Sequence, residues 1–560
     1  MNRRNFIAST VLAGTPLAAT LVAKETAAEA PKAVYNVRDF GAKGDGLSKD
    51  TAAIQAAVDT CTRAGGGTVL LPAGTFLSGT IRLKSNVDLQ LSAGTILQAS
   101  SDRQDYLRVH PAEEYLPTAA PVRTAPSYTF TLDYHLLVAQ EAENVTISGT
   151  GTIFGNGRAW MDGLKYESGQ EKYKIKGGWR PGPLVAFDRC KRVKLLNITL
   201  KEAPQIHAFF IGCDNLLIAG VSVLGDKRIL NGDGLHITCC RDVIISDCDV
   251  VAGDDAIPIF TFPHWLEKEQ AVVENIVISN CLLSSDHSGI RLGYTNDGVI
   301  QNIRCSNVIV RDAFTGIDII SFITDVWESF PRKNKILHGP LIQNLSFSNF
   351  SITAAWGITA NLYENARLPA GIKDLSFRDT VIHCTCGNYF LGSEGKPVRN
   401  VRIENLTVVP AGDRIAAGDT ASGSIPNPAR PSKPKGLRIP HALAFRHVDG
   451  VVVKGLRVEW ECASGLWASS AYFERARNVS IDGMQVMDDK KVAAVILCLR
   501  NTEGVHVFNT IFPENTELVA EITGADSKKI TFMNCDWETI RAKLKYADGA
   551  SAQKLELDRL

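Results

Sequence analysis

Asn275-Ile276-Val277-Ile278, preceded by Asp242-Val243-Ile244-Ile245 and followed by Asn302-Ile303, sets one polar turn residue ahead of an aliphatic run. The pattern occurs earlier in Asn144-Val145-Thr146-Ile147, Arg192-Val193-Lys194-Leu195 and Asn215-Leu216-Leu217-Ile218. It returns in Asn344-Leu345-Ser346-Phe347, Asn400-Val401-Arg402-Ile403, Asn478-Val479-Ser480-Ile481 and Lys529-Ile530-Thr531-Phe532. Positions 192, 215 and 242 are 23 and 27 residues apart. Alternating aliphatics mark strands, and recurrence at such an interval marks a solenoid. Each unit is too short and too rich in β-branched residues for a helix pair, and it lacks leucine-rich or propeller signatures. The expected fold is all-β: a right-handed parallel β-helix in which each coil buries its inward aliphatics against its neighbours.

A solenoid needs its open end covered. From Asp50 to Cys61, residues Ile54, Ala57, Val58 and Cys61 share one helical face, Asp50 or Thr51 can cap the start, and Gly65-Gly66-Gly67 follows the end. This segment is expected as an N-terminal capping helix that plugs the first coil. The Pro-rich stretch from Ile425 to Pro434 reads as a loop between repeats, because strand patterning resumes at His441-Ala442-Leu443-Ala444-Phe445. A single β-helix domain is therefore expected over residues 31–560.

Residues 1–30 read as an export signal. Arg3-Arg4-Asn5-Phe6-Ile7 precedes an apolar run of small residues, Ala8 to Ala23, and the twin arginine resembles the bacterial Tat signal. Export to the periplasm or the extracellular space is expected, and no later segment is long and apolar enough for a membrane span. Lys plus Arg equals Asp plus Glu at 60 each, so no global basic field draws the chain to nucleic acid or anionic lipid. The 13 cysteines are scattered without disulfide or zinc spacing, and buried thiols in a stacked core are expected.

Three aspartates interrupt this regularity. Asp233 in Asn231-Gly232-Asp233-Gly234 precedes Gly253-Asp254-Asp255-Ala256-Ile257 by one repeat, and His287 follows in Ser285-Asp286-His287-Ser288-Gly289. One turn of a solenoid per repeat brings all three carboxylates to one patch. Clustered like charges repel and raise one another's pKa. That cost points to chemistry over turn capping or calcium binding.

The chain is similar to glycoside hydrolase family 28, the polygalacturonase family of parallel β-helices. The resemblance begins at Tyr35-Asn36-Val37-Arg38-Asp39-Phe40-Gly41-Ala42-Lys43-Gly44-Asp45-Gly46, runs through Leu83-Lys84-Ser85-Asn86-Val87 and Gly149-Thr150-Gly151-Thr152-Ile153, and reaches the site repeats. Asn231-Gly232-Asp233 corresponds to the family's Asn-Thr-Asp, Gly253-Asp254-Asp255 to its Asp-Asp segment, and His287 to its Gly-His-Gly histidine, here flanked by Asp286 and Ser288. The resemblance implies Asp254 as general acid, Asp233 with Asp255 holding and deprotonating water, and His287 tuning the acid or orienting substrate, with inversion at the sugar. It implies a pectin-type polysaccharide or oligosaccharide substrate, polygalacturonan or rhamnogalacturonan, and no cofactor or metal.

The family's galacturonate-binding Arg-Ile-Lys segment falls near Gly316-Ile317-Asp318-Ile319-Ile320, where neither base is present. Arg291, one repeat earlier, is the candidate replacement, with a structural salt bridge as its other reading. Asn231 and Trp356 complete the expected substrate contacts. Trp265 and Tyr363 are further candidates for sugar stacking. Loops around Lys165 to Trp179 and Phe262 to Ala271 are expected to close one end of a cleft and favour exo-action. Two other classes fit a β-helix: a calcium-dependent polysaccharide lyase, with Arg291 as base, and a glycan-binding module without catalysis.

Overall fold

The structure is a computed structural model that describes residues 33–109, 133–167, 170–261, 272–294, 298–321, 341–362, 371–410, 441–461, 467–487, 495–512, 516, 518–535 and 544–554. The export segment, the Pro-rich stretch, the expected cleft-closing loop from Phe262 to Ala271 with its Trp265, and Tyr363 lie outside these residues.

The turn residue before each aliphatic run determines the coil. Asn144, Arg192, Asn215, Asp242, Asn275, Asn302, Asn344, Asn400, Asn478 and Lys529 all have positive φ, the left-handed conformation that asparagine and aspartate tolerate best among residues with a Cβ. The chain bends there, and the next residue enters the interior. Stacking then places equivalent residues in register: Val193 lies opposite Leu216, Leu216 opposite Val243, Val243 opposite Ile276, Ile276 opposite Ile303, and Ile303 opposite Leu345. This buried column continues through Leu375, Val401, Val451, Val479 and Val505 to Ile530. The result is a right-handed parallel β-helix with one continuous core from Tyr35 to Phe532. Cys190, Cys213 and Cys240 stack inside it, the N–H of each of the first two donating to the next sulfur at 3.4 Å. Phe390, Phe445 and Phe473 stack as well, with centroids 5.0 and 4.8 Å apart.

The capping helix spans Thr51–Arg63 and buries Ile54, Ala57, Val58 and Cys61, the face expected from the sequence. Its side-chain cap differs from expectation. Asp50 is the N-cap residue and its carbonyl accepts from Ile54 N–H at 3.0 Å, but its side chain makes no cap hydrogen bond, because its carboxylate accepts from the N–H groups of Lys43 at 2.7 Å and Gly44 at 3.0 Å. Thr51 Oγ1 accepts from Gly79 N–H at 2.9 Å. Both side chains tie the helix to the coil it covers. No helix among the described residues is long and apolar enough to cross a membrane.

At the turns the polar side chains bond along the stack. Asn275 Nδ2 donates to Asp242 Oδ1 at 2.9 Å, Asn302 to Asn275 at 3.2 Å, and Asn344 to Asn302 at 2.7 Å. Asn302 therefore serves both as a left-handed residue and as a ladder rung. Asn302→Ala is expected to cost about 2 kcal/mol and Asn302→Gly about 1 kcal/mol, since glycine keeps the backbone conformation and loses only the rung. Urea unfolding of the two variants checks this order. A glycine variant as unstable as the alanine variant would show that backbone strain is not what asparagine relieves here.

Candidate active site

Three successive turns on one side of the solenoid carry the acidic residues. Asp233 precedes strand Leu235–Thr238, Asp254 and Asp255 separate strands Asp249–Ala252 and Ile257–Phe260, and His287 separates Val272–Ser285 from Ser288–Leu292. Ile237 lies opposite Ile259, and Ile257 opposite Ile290. The same offsets set Asp233 beside Asp255 and Asp254 beside His287, one rung of about 4.8 Å apart. Backbone bonds hold these turns together: Gly234 N–H donates to Asp255 O at 3.0 Å, and Ala256 N–H to Ser288 O at 2.8 Å.

Each carboxylate has a different environment. Asp255 is 3% exposed; its Oδ1 pairs with His287 Nδ1 at 2.7 Å and accepts from Ser288 N–H at 3.1 Å, while its Oδ2 accepts from Arg291 Nη1 at 2.9 Å. Burial works against this anion, but Arg291 and His287 outweigh it and hold Asp255 ionised far below the usual carboxylate range. Asp254 has a side chain 29% exposed, with Oδ1 4.0 Å from His287 Nδ1. Burial, then repulsion from Asp233 and Asp255, pushes it up to about 6. Asp233 is pushed well up by burial and by Asp255, and its Oδ2 lies 2.7 Å from His236 Nδ1. Burial pushes His236 down to about 3 and keeps that ring neutral. The site thus holds one fixed anion, one accessible acid and one buried carboxyl against a neutral imidazole.

Arg291 is placed differently from a substrate-facing base. It is 6% exposed, with Asp255 on Nη1 and Asp318 Oδ2 3.8 Å from Nε. Tyr294 and Phe260 have ring centroids 4.4 and 5.7 Å from the guanidinium carbon. The salt bridge of its second reading is formed, with Asp255 at 2.9 Å. Asp318, which replaces a base of the resembled segment, supports this arginine and accepts from Thr359 Oγ1 at 2.6 Å. Asn231 has φ 53° and its Oδ1 accepts from Arg180 Nη2 at 3.1 Å. Trp356 lies three coils from Asp255 in the same register column, buried with its ring edge-on to Tyr389 at 5.3 Å.

Sequence reasoning missed His236, Arg180 and Lys172. His236 follows Asp233 by three residues, inside the strand Leu235–Thr238, where the only signal was a histidine between two aliphatic residues. Arg180 is fully buried and donates to Pro204 O at 2.8 Å and Leu230 O at 2.6 Å. Burial lowers it to about 10, opposed by Asp233 and Asp254. Arg180 and Lys172 come from the segment between strands Thr152–Phe154 and Val185–Asp188, whose polar composition carries no motif.

Residues 61–321 match glycosyl hydrolases family 28. A probable polygalacturonase of Vitis vinifera is 26% identical over 382 residues, covering 66% of this chain and 73% of that protein. An exo-poly-alpha-D-galacturonosidase of Dickeya chrysanthemi is 23% identical over 403 residues, covering 65% of this chain and 64% of that protein. Among solved structures, the family 28 exopolygalacturonase of Yersinia enterocolitica superposes with a TM-score of 0.57 at 18% identity, covering 80% of this chain and 78% of that one.

The raised Asp254 carboxyl has a thermodynamic consequence. Between its ordinary value of 3.8 and about 6, the folded chain binds more protons than the unfolded chain, so this group's contribution to stability falls as pH rises through that window. Asp254→Asn removes the penalty. The variant is expected to exceed the parent above pH ~6 by on the order of 1–2 kcal/mol and to converge with it below pH ~4, by urea midpoints. Parallel pH dependence of the two proteins would contradict the assigned shift.

Proposed function

We propose that this chain, a polygalacturonase-like glycoside hydrolase of family 28, cleaves the galacturonan backbone of pectin with inversion at the anomeric carbon. The observation that carries the reading is the unequal environment of the three carboxyls in adjoining turns. Burial and repulsion keep Asp233 and Asp254 from ionising together, so the pair retains a proton. With that proton on Asp254, the more exposed of the two, the carboxyl donates it to the glycosidic oxygen as the bond to the anomeric carbon breaks. Asp233, then anionic and bonded to His236, takes a proton from the attacking water. A carboxylate whose conjugate acid is held up by burial is the stronger base. Asp255 is the weaker base because Arg291 and His287 stabilise its anion. Its role is to fix His287 and to hold negative charge beside the cationic transition state. Solvent exchange then returns the proton from Asp233 to Asp254.

Polygalacturonan is the first substrate to test. Rhamnogalacturonan is the second, because the stretch from Gly316 to Ile320 carries neither of the bases of the resembled galacturonate-binding segment. Trp356 and Asn231 are proposed to border the sugar path. Residues 31–560 are proposed to act as one catalytic domain, supported by the continuous core. Residues 1–30 are proposed to direct export, supported by Arg3-Arg4-Asn5-Phe6-Ile7 and the apolar run after it.

Purified protein is expected to release reducing ends from one of the two polymers without ultraviolet-absorbing unsaturated uronates, and proton NMR of the first product should give the inverted anomer. Asp254→Asn is expected to lower the rate about 10²- to 10⁴-fold. Unsaturated products would make the reaction an elimination, and binding without new ends would make the chain a glycan-binding module. For export, Arg3→Lys with Arg4→Lys is expected to leave the precursor in the cytoplasm on cell fractionation. Unchanged export would remove the twin-arginine assignment.

A further inference from the structure

The described residues contain one antiparallel pair of strands, Met161–Glu167 with Gln170–Ile175, standing outside the parallel stack. Its second strand places Lys172 among the site turns. The lysine is 5% exposed, and Nζ donates to Lys227 O at 2.6 Å, Gly253 O at 3.1 Å and Asp286 Oδ2 at 2.9 Å. An ammonium has three protons, so these acceptors use its full capacity. They belong to three different turns: Lys227 to the turn that leads into Asn231 and Asp233, Gly253 next to Asp254, and Asp286 next to His287.

Neighbouring contacts show how closely these turns are packed. A Cβ on Gly253 would lie 2.6 Å from Ile229 O and 2.9 Å from Asp226 O, so the turn bearing Asp254 lies directly against the turn bearing Lys227. Gly253 N–H donates to Gly232 O at 2.9 Å, and Tyr173 N–H to Arg228 O at 2.9 Å. The centroid of the Tyr173 ring lies 3.8 Å from the guanidinium carbon of Arg158 and 4.8 Å from that of Arg228. A buried cation is tolerated only when its partners are fixed around it. Lys172 has one carboxylate and two carbonyls, and the carboxylate of Asp286 also lies 3.8 Å from Lys227 Nζ through Oδ1.

We propose that Lys172 is a positioning residue for the acid Asp254, joining the turns of Asp233, Asp254 and His287 into one frame from a hairpin outside the solenoid. The inference rests on Asp254 being the acid. It gives the hairpin a part in catalysis without contact with the reacting atoms. A frame held at three points fixes the carbonyl immediately before Asp254, and through Asp286 it fixes the approach to His287, which sets the distance between acid and imidazole.

The test uses the full mature chain with Lys172→Met, Lys172→Arg and, as a control, Lys545→Met, whose exposed ammonium pairs with Glu521 at the far end of the stack. Two readouts are taken: steady-state hydrolysis, and deuterium exchange of peptides covering 226–233, 250–256 and 284–290. Lys172→Met is expected to lower kcat about 10- to 100-fold with KM within about threefold, and to raise exchange in those peptides alone. Lys172→Arg is expected to fall between, because a planar fork replaces a compact ammonium. If Lys172→Met does not fold, Lys172→Arg decides by the same split. Unchanged kcat, unchanged exchange at the three turns, or a fall in kcat matched by a fall in folded fraction would overturn the proposal. If the parent releases no reducing ends from pectin polymers, the functional reading fails. The exchange experiment then decides whether Lys172 frames the turns.

Discussion

Register is the constraint on which everything else in this structure depends. Each coil exchanges backbone hydrogen bonds with the coils before and after it, so residues at equivalent positions must stack about 4.8 Å apart along the axis. For aliphatic side chains this is favourable at every rung, because a buried column from Val193 to Ile530 removes apolar surface from water on both sides of each residue. For asparagine it is favourable too, since the amide both donates and accepts along the stack. For carboxylates the same geometry is adverse. Asp233 and Asp255 stand in one register column, and the solenoid cannot separate them without breaking the ladder.

The chain answers with charge from neighbouring columns. One column runs Phe209, His236, Pro258, Arg291, Asp318 and Thr359, and its members lie beside the acidic turns. His236 meets Asp233, and Arg291 meets Asp255. The two pairings have opposite consequences. A guanidinium keeps its charge when buried, so Asp255 is locked as an anion. An imidazole loses its charge when buried, so His236 offers Asp233 no cation, and burial with the repulsion of Asp255 holds that carboxyl high against the pull of Arg291 and Arg180. A difference of partner one rung apart thus separates two carboxyls of the same chemical type, and the pair of high carboxyls that remains can hold the proton that acid catalysis needs.

The sequence made the solenoid legible because its rule is local. A turn residue tolerant of positive φ followed by alternating aliphatics can be read at each repeat, and the solenoid interval then groups the acidic turns. The helical face of Ile54, Ala57, Val58 and Cys61 was legible for the same reason. Asp50 holds the N-cap position as read, but its side chain was not legible, because its choice between helix amides and the amides of Lys43 and Gly44 depends on a loop that folds back onto it. Arg291 had two readings in sequence because an arginine in a strand can face substrate or an acid. Asp255 is 36 residues away along the chain, and only the stack brings them together. Lys172 and Arg180 were hidden more deeply. Lys172 reaches partners 55, 81 and 114 residues away, and a lysine in a polar segment reads as a solvated side chain until its surroundings are known.

These two cations also show what a strict repeat cannot supply. Within the stack, each position inherits the chemistry of its column, and a cation placed in an acidic column must serve the residues directly above and below it. A segment that leaves the stack escapes that rule. From outside it can approach several coils at once, as Lys172 does with three turns and Arg180 does with Pro204, Leu230 and Asn231. The cost is the loop-closure entropy of a longer excursion, which grows only slowly with length. The gain is a restraint across rungs that backbone hydrogen bonds alone leave to the twist of the stack. Positioning to within a fraction of an ångström decides whether an acid can donate. The place to look for further control of this site is therefore in the excursions between coils, where side chains are free of the register that built the fold.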